Sequence, residues 1–445
     1  MQSPREFIIV GAGPVGLSVS MLLLKKGHSV KIFDKRKDPR YNTESGRSIN
    51  LALSHRGFQT LELLGLESKI KSNFAVEMPG RMIHDETGET NFQPYSIDNE
   101  CIYSVSRGEL NNLLIEEAKL LGIEIRFECK CLDYDVKNEK LLFENFELAT
   151  VGKLILGCDG AFSPLRNVLK KSAHFKFLET KLDYGYQEFS IQAGNEKNWK
   201  LTKNALHIWP RKDFMLIALP NIDGSFTCTL FLRLKGEHSF ELINNQDIAI
   251  KFFEEYFSDA FQLMNNFNFE LETNPVSTLF MENCSPWNID DKLLLLGDAA
   301  HAIVPFYGQG LNAGLEDARL LVEQFDNENS ENLFTEFQKK RKPDTDAISE
   351  LALQNFTEMR DLVTDPTFLK KKKIESKIKN LFPQNWKTLY ELVTFSDIPY
   401  SKAKKTGIEN DSKVSLILQN EMLSNNLLSN ELNNEDLQIL KSIVM

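Results

Sequence analysis

FIIVGAGPVG, residues 7–16, decides how this chain of 445 residues is read. Phe7 to Val10 form a short apolar strand pattern, and Gly11, Gly13 and Gly16 follow as G-x-G-x-x-G. In a strand–turn–helix unit the first glycine permits the tight turn and the second lets a pyrophosphate approach the backbone. The third lets the helix pack on the strand. The helix start also offers unpaired N–H groups and a positive dipole end to phosphates. A second apolar strand, HSVKIFD (28–34), ends in Asp34, where a carboxylate accepts ribose hydroxyls. Strand, glycines, helix, strand and acid together predict a dinucleotide-binding α/β fold, open at this point between NAD, NADP and FAD. A glycine turn in some other parallel α/β protein is the alternative. The uncharged run FIIVGAGPVGLSVSMLLL (7–24) imitates a membrane span, but three glycines and a proline near its start fit strand, turn and helix better.

The chain is longer than one hydrophobic core normally serves, so two or three domains are expected. A formal net charge of −11 speaks against a nucleic-acid partner, which needs a basic face. Six cysteines without a C-x-x-C pair predict reduced thiols, a cytoplasmic location and no metal site. No other stretch is apolar enough to span a bilayer. The basic runs KKRK (339–342) and KKKK (370–373) read as solvated helix faces. In the Asn- and Glu-rich tail, Leu and Ile recur at helical spacing, which predicts a packed helix rather than an interfacial one.

Two later motifs choose the cofactor. KLILGCDGAFSPLR (153–166) is an apolar strand ending in Asp159-Gly160, with Ser163 and Arg166 at the start of a helix. LLLLGDAAHAIVPFYGQGLNAGLEDARLL (293–321) is a second apolar strand ending in Gly297-Asp298, then a loop and a long helix. An acid at the carboxyl end of a parallel strand is placed to hold a ribose or ribityl hydroxyl. Gly308 and Gly310 let backbone approach a flat ring. Together these motifs resemble the FAD-dependent aromatic hydroxylases, the group A flavoprotein monooxygenases. Only one G-x-G-x-x-G is present, and the missing C-x-x-C argues against a disulfide reductase. GRSINLALSHRG (46–57), RMIHDETG (81–88), SVSRGEL (104–110), LHIWPR (206–211), FMLIALPN (214–221), SFTCTLF (225–231) and LVTFSDIPY (392–400) narrow the resemblance to the kynurenine 3-monooxygenase branch.

That resemblance implies a Rossmann-like FAD-binding domain interrupted by a mainly β substrate domain and followed by a helical region. Residues 1–65, 100–175 and 285–330 are assigned to the first, 66–99 and 176–284 to the second. Residues 331–445 form the third, without the membrane-anchoring helix of eukaryotic members. Non-covalent FAD is expected against Gly11, Gly13, Val15, Gly16, Asp34, Arg36, Arg47, Ala52, Arg107, Leu132, Asp159, Asp298, Gly310, Leu311 and Asn312. NADPH is a transient co-substrate. Arg81 and Tyr95 match the family pair that grips the carboxylate of L-kynurenine, and Asn355 and Tyr390 match the two C-terminal residues that close over it. The guanidinium suits that task because it binds a carboxylate through two parallel hydrogen bonds. The implied reaction hydroxylates L-kynurenine to 3-hydroxy-L-kynurenine with NADPH and O2 through a flavin C4a-hydroperoxide, with no side chain as nucleophile. A flavin hydroxylase of another anthranilate-like or phenolic acid is the alternative, and a non-enzymatic nucleotide-binding protein is a more distant one.

One run leaves a question open. GRSINLALSHRG puts Arg56 and His55 beside Leu51, Ala52 and Leu53, and a guanidinium buried there requires an anion or strong acceptor. For Arg56 and His55, capping the next helix or pairing with a carboxylate weighs about equally with touching the cofactor. The anion expected for the run as a whole is the FAD pyrophosphate, or NADPH in passing.

Overall fold

The computed structural model describes residues 4–41, 50–327, 332–358 and 365–445. Strand Glu6–Val10 lies within a six-stranded sheet whose order is Asn288–Ile289, Leu293–Leu295, Lys153–Gly157, Glu6–Val10, Ser29–Phe33, Glu124–Arg126. Every pair is parallel except the edge pair of Asn288–Ile289 with Leu293–Leu295. Parallel strands are covered on both faces, which is why FIIV and LLLL read as continuous apolar runs. The run 7–24 that imitates a membrane span is strand, turn and helix, the helix being Pro14–Lys25. Among the described residues no helix is long and apolar enough to cross a membrane. Because three of these strands are parallel neighbours, the turns after Val10, Gly157 and Leu295 emerge at one edge of the sheet.

A second sheet has eight strands in the order His301–Ala302, Ser277–Ser285, Lys176–Ile191, Phe226–Arg233, Phe214–Pro220, Leu206–Arg211, Gly80–His84, Thr90–Pro94. Helices Gln246–Tyr256, Ser258–Phe261 and Phe267–Thr273 cover it through an aromatic core that includes Phe189, Trp209, Phe253 and Phe267. Within residues 66–99, strand Ala75–Met78 pairs with Ile102–Ser106, which pairs in turn with Asn50–Leu53. Gly80–His84 and Thr90–Pro94 instead extend the eight-stranded sheet, so the strand carrying Arg81 lies parallel to Leu206–Arg211.

Helices Leu333–Thr357, Pro366–Leu381, Leu389–Thr394, Tyr400–Gln419, Glu421–Ser429 and Asn434–Val444 complete the chain. The tail packs: Leu423, Leu427, Leu440 and Val444 are buried against Ile378, Trp386 and Ile417. Asn420 and Asn433 cap its last two helices by accepting backbone N–H bonds. One basic run differs from its expected place. Lys339 and Lys340 face solvent, but Arg341 is buried, because a helical period turns one residue of KKRK inward onto two carboxylates.

Candidate active site

The turns at the sheet edge form a cleft. Gly11 has φ +112°, and a Cβ on it would come within 2.2 Å of the Cys158 carbonyl oxygen. A Cβ on Gly16 would lie 2.0 Å from the Gly11 oxygen, so neither position admits a side chain. Gly13 and Gly310 differ: an added Cβ meets nothing within 4 Å, so both face open space at the starts of their helices. Val15 packs against Gly314, where a Cβ would lie 2.7 Å from its Cγ2, which brings the first glycine turn against the helix after Asp298. Asp34 is buried. One carboxylate oxygen accepts from the Ala12 N–H at 2.7 Å, and the other from the Arg36 N–H at 2.8 Å, with the Arg36 guanidinium spanning both. The backbone before Leu132 runs alongside, with Cys129 N–H donating to the Asp34 carbonyl at 2.9 Å. Leu132 itself is half exposed.

Asp159 and Asp298 carry the acid chemistry of the cleft. Asp159 Oδ2 accepts from the Leu165 N–H at 3.3 Å, while Oδ1 is buried with no hydrogen-bond partner among the described residues. Burial pushes its pKa up to about 6. The Asp298 carboxyl is open to solvent yet enclosed by protein, as a group at the bottom of a cleft is. Burial raises its pKa against the pull of His301 and of Arg107, which stands exposed at the start of helix Arg107–Leu120. Asn312 is wholly engaged: its amide donates to the carbonyls of Ala52 at 2.8 Å and Gly308 at 2.9 Å and accepts from the Ser54 N–H at 2.9 Å. Leu311, beside it, packs on the nucleotide-domain core. Arg47 lies outside the described residues.

A cluster of aromatic rings around Arg81 adjoins the loop Pro305–Tyr307. The Arg81 guanidinium sits 5.3 Å from the Tyr95 ring and 5.0 Å from the Tyr390 ring. Those two rings stack at 5.0 Å, and Tyr390 stacks in turn on Tyr307 at 5.7 Å. Asn355 Nδ2 donates to the Phe306 carbonyl at 2.7 Å, tying helix Leu333–Thr357 to the same loop. Arg81 Nε and Tyr95 Oη are buried with no hydrogen-bond partner among the described residues. Burial works against the charge on Arg81, but the two phenols beside it outweigh that and hold its pKa above the ordinary value. Such a group recruits an anion, since an unmet buried donor is costly.

Residues 5–350 match the family described as FAD binding domain. The kynurenine 3-monooxygenase of Cytophaga hutchinsonii is 44% identical over 99% of this chain and 100% of its own length. That of Christiangramia forsetii is also 44% identical, over 92% of each chain. The chain belongs to the kynurenine 3-monooxygenase family. The Anopheles gambiae kynurenine 3-monooxygenase is 38% identical over 93% of the chain and 87% of its own. Among solved structures, 2-methyl-3-hydroxypyridine-5-carboxylic acid oxygenase shares the fold at TM-score 0.67 and 18% identity, covering 83% of this chain and 96% of that one. Klebsiella pneumoniae HpxO, complexed with FAD and uric acid, does so at 0.66 and 16%, covering 92% and 97%.

The cleft suits the cofactor of this family. Two helix starts open on it, no Cβ stands over Gly13 or Gly310, and an unpartnered acceptor on Asp159 and an accessible one on Asp298 can take hydroxyl protons.

Arg56 has another partner. It is fully buried, and its guanidinium donates to Glu316 Oε1 at 2.7 Å and to the carbonyls of Val393 at 2.9 Å, Leu392 at 3.4 Å and Ile398. The Tyr400 ring lies 4.0 Å beneath it. Its anion is therefore a carboxylate of the protein. His55 reaches a different acid, with Nε2 2.7 Å from Asp397 at the surface.

Sequence reasoning missed the rest of this network. Glu316 Oε2 pairs with Arg341 at 2.8 Å, and Arg341 Nε donates to Asp317 Oδ1 at 2.8 Å. Asp317 Oδ2 accepts from the Gly297 N–H at 3.0 Å and from His301 Nε2 at 2.6 Å. Burial alone would raise both carboxyls, but the arginines, with His301 beside Asp317, hold them below the ordinary range. The aromatic wall of Phe306 stacked on Phe356 at 4.2 Å was also missed. Aromatics in PFY and QNF were the available signal.

Proposed function

We propose that this chain hydroxylates L-kynurenine at C3, consuming NADPH, O2 and a proton and releasing 3-hydroxy-L-kynurenine, NADP+ and water. The observation that carries this reading is Arg81: a half-buried cation whose buried Nε is unmet among the described residues, beside two tyrosines, in a chain of the kynurenine 3-monooxygenase family. Its guanidinium, with Tyr95 Oη, takes the amino-acid carboxylate. Tyr390 closes over it, and Asn355 holds the Phe306 carbonyl so that the loop 305–307 forms the opposite wall. The aromatic surfaces of Tyr307, Phe306 and Phe356 exclude water from the ring to be hydroxylated.

FAD, when bound, supplies the redox chemistry, taking electrons from NADPH and activating O2 for transfer of one oxygen atom. The protein's part is to hold and orient. Gly11, Gly13, Val15 and Gly16 shape the pyrophosphate turn, and Asp298 accepts a hydroxyl proton with Arg107 nearby. Asp159 offers its unpartnered oxygen to the same ligand. Gly310, Leu311 and Asn312 present backbone to the flavin ring, with Ala52 across from Gly308. Asp34 serves the adenosine ribose only by sharing its acceptor sites with Arg36 or releasing that side chain, because both oxygens are occupied here. Leu132 lines the adenine side. The domain division at 1–65, 100–175 and 285–330 for FAD, 66–99 and 176–284 for substrate, and 331–445 for the cover is part of the same reading. So is a cytoplasmic location, tested by whether the protein stays in the supernatant when lysed cells are ultracentrifuged.

Mass spectrometry of the products from kynurenine, FAD and NADPH tests the function. Ring-hydroxylated kynurenine carrying label from 18O2 supports it. NADPH oxidation that yields only hydrogen peroxide contradicts it.

A further inference from the structure

We propose that Arg56 is a positioning residue for the substrate pocket, holding the Tyr390 wall against Arg81 and fixing its distance from the cofactor loop. This rests on the reading of the Arg81 pocket given above. A guanidinium has five N–H donors in a rigid planar fork. Here the fork spans two regions distant in sequence. On one side are the carbonyls of Leu392 and Val393, near the end of the short helix Leu389–Thr394, and that of Ile398 just beyond it. The last carbonyls of a helix lack intrahelical donors and face the negative end of its dipole, so a cation seats there favourably. Tyr390, which stacks on Tyr95, is on this helix two residues before the first gripped carbonyl. Phe395, tilted against the same ring, lies between the gripped carbonyls of Val393 and Ile398.

On the other side is Glu316, on helix Gly310–Asn327, whose first residue opens on the cofactor cleft. Tyr400 reinforces the span. Its ring underlies the guanidinium, and its hydroxyl donates to Gln309 Oε1 at 2.9 Å, one residue before that helix. Glu316 already has Arg341 as a counter-ion, so neutralising this carboxylate does not require Arg56. What Arg56 adds is a direct tie through one planar fork between the carbonyls at the pocket wall and Glu316 on the helix behind the loop. Its neighbour His55 makes no contact of this kind and pairs with Asp397 at the surface.

Arg56→Lys is the discriminating variant. An ammonium can still meet Glu316, but it cannot hold three carbonyls and a carboxylate in the fork's plane. In the FAD-loaded enzyme the KM for L-kynurenine should rise by about tenfold or more while kcat stays within about threefold. Turnover of kynuramine, which lacks the carboxylate, should change by less than about threefold, because the grip that Arg56 supports is already unused. Hydrogen–deuterium exchange should rise across residues 390–399 and stay unchanged across 7–25. The exchange measurement needs no substrate, so it judges the tie even if kynurenine proves not to be the substrate. If Arg56→Lys does not fold, the pair Arg56→Gln with Glu316→Gln removes both charges together and should show the same split. An unchanged KM and unchanged exchange at 390–399, or equal losses with both substrates, would overturn the proposal.

Discussion

Two arginines in neighbouring regions of this molecule, Arg56 fully buried and Arg81 half-buried, do opposite things. Arg56 donates to one carboxylate and three carbonyls and rests on an aromatic ring. Arg81 lies beside two stacked aromatic rings with its Nε unmet among the described residues. A protein that saturates a buried guanidinium has used it to hold parts of itself together. One that leaves a donor unmet, at the desolvation cost this carries, has kept it for a ligand. Arg56 is fully buried and Arg81 half-buried, and the count of acceptors around each guanidinium sets their tasks apart.

The sharpest way to break this contrast is to remove each cation without its ligand present. Arg56→Met strips three backbone carbonyls and Glu316 of a partner and should lower stability by about 3–5 kcal/mol. Arg81→Met should cost little, since no anion loses a partner there. Chemical denaturation of both variants as FAD-loaded proteins reads the difference, and equal losses would erase the distinction. The next effect lies in the cofactor cleft. Asp298→Ala should weaken FAD retention by about 1–3 kcal/mol, measured by flavin fluorescence on dilution. An unchanged affinity would remove Asp298 from the site.

Asp159 gives a pH test with opposite signs for fold and ligand. Burial raises its folded pKa to about 6 from 3.8. The apoprotein therefore gains stability from this group that is fully present below 3.8 and is lost as pH rises through about 6. FAD retention, which uses the ionised oxygen, should instead weaken as pH falls through about 6. Asp159→Asn should flatten both slopes, and a titration of FAD affinity across that range shows whether it does. The smallest effect belongs to the surface pair. His55→Ala removes a contact to Asp397, whose side chain is 66% exposed, and should change stability by only about 0–1 kcal/mol. A larger loss in thermal unfolding would mean that the run His55–Arg56 acts as one unit.

What the sequence made legible follows the distance over which each feature is written. The glycine turn, its strands and Asp34 lie within 28 residues of one another, so their chemistry reads directly from FIIVGAGPVG to HSVKIFD. The partners of Arg56 lie 260 and 337 positions away, on elements that only the fold brings together, so its role stayed open until the structure paired it with Glu316. Arg341 was hidden differently. In KKRK its neighbours set the local impression of a solvated face, and the inward turn of one residue in four cannot be seen without the two carboxylates it meets. Arg81, Tyr95, Asn355 and Tyr390 read singly as a surface cation, a loop residue, a turn residue and a core aromatic. The family resemblance marked them, and the structure brings the first, second and fourth into one stack and joins Asn355 to its neighbouring loop.

The most direct measurement of the central claim is kcat/KM for kynurenine and kynuramine with the parent enzyme and Arg81→Met. If Arg81 holds the substrate carboxylate, the parent should prefer kynurenine by about 2–5 kcal/mol, roughly 30-fold to several thousand-fold. Arg81→Met should lose a similar factor with kynurenine and little further with kynuramine, while FAD occupancy stays normal. Equal use of both substrates by the parent, or equal losses with both in the variant, would contradict the account.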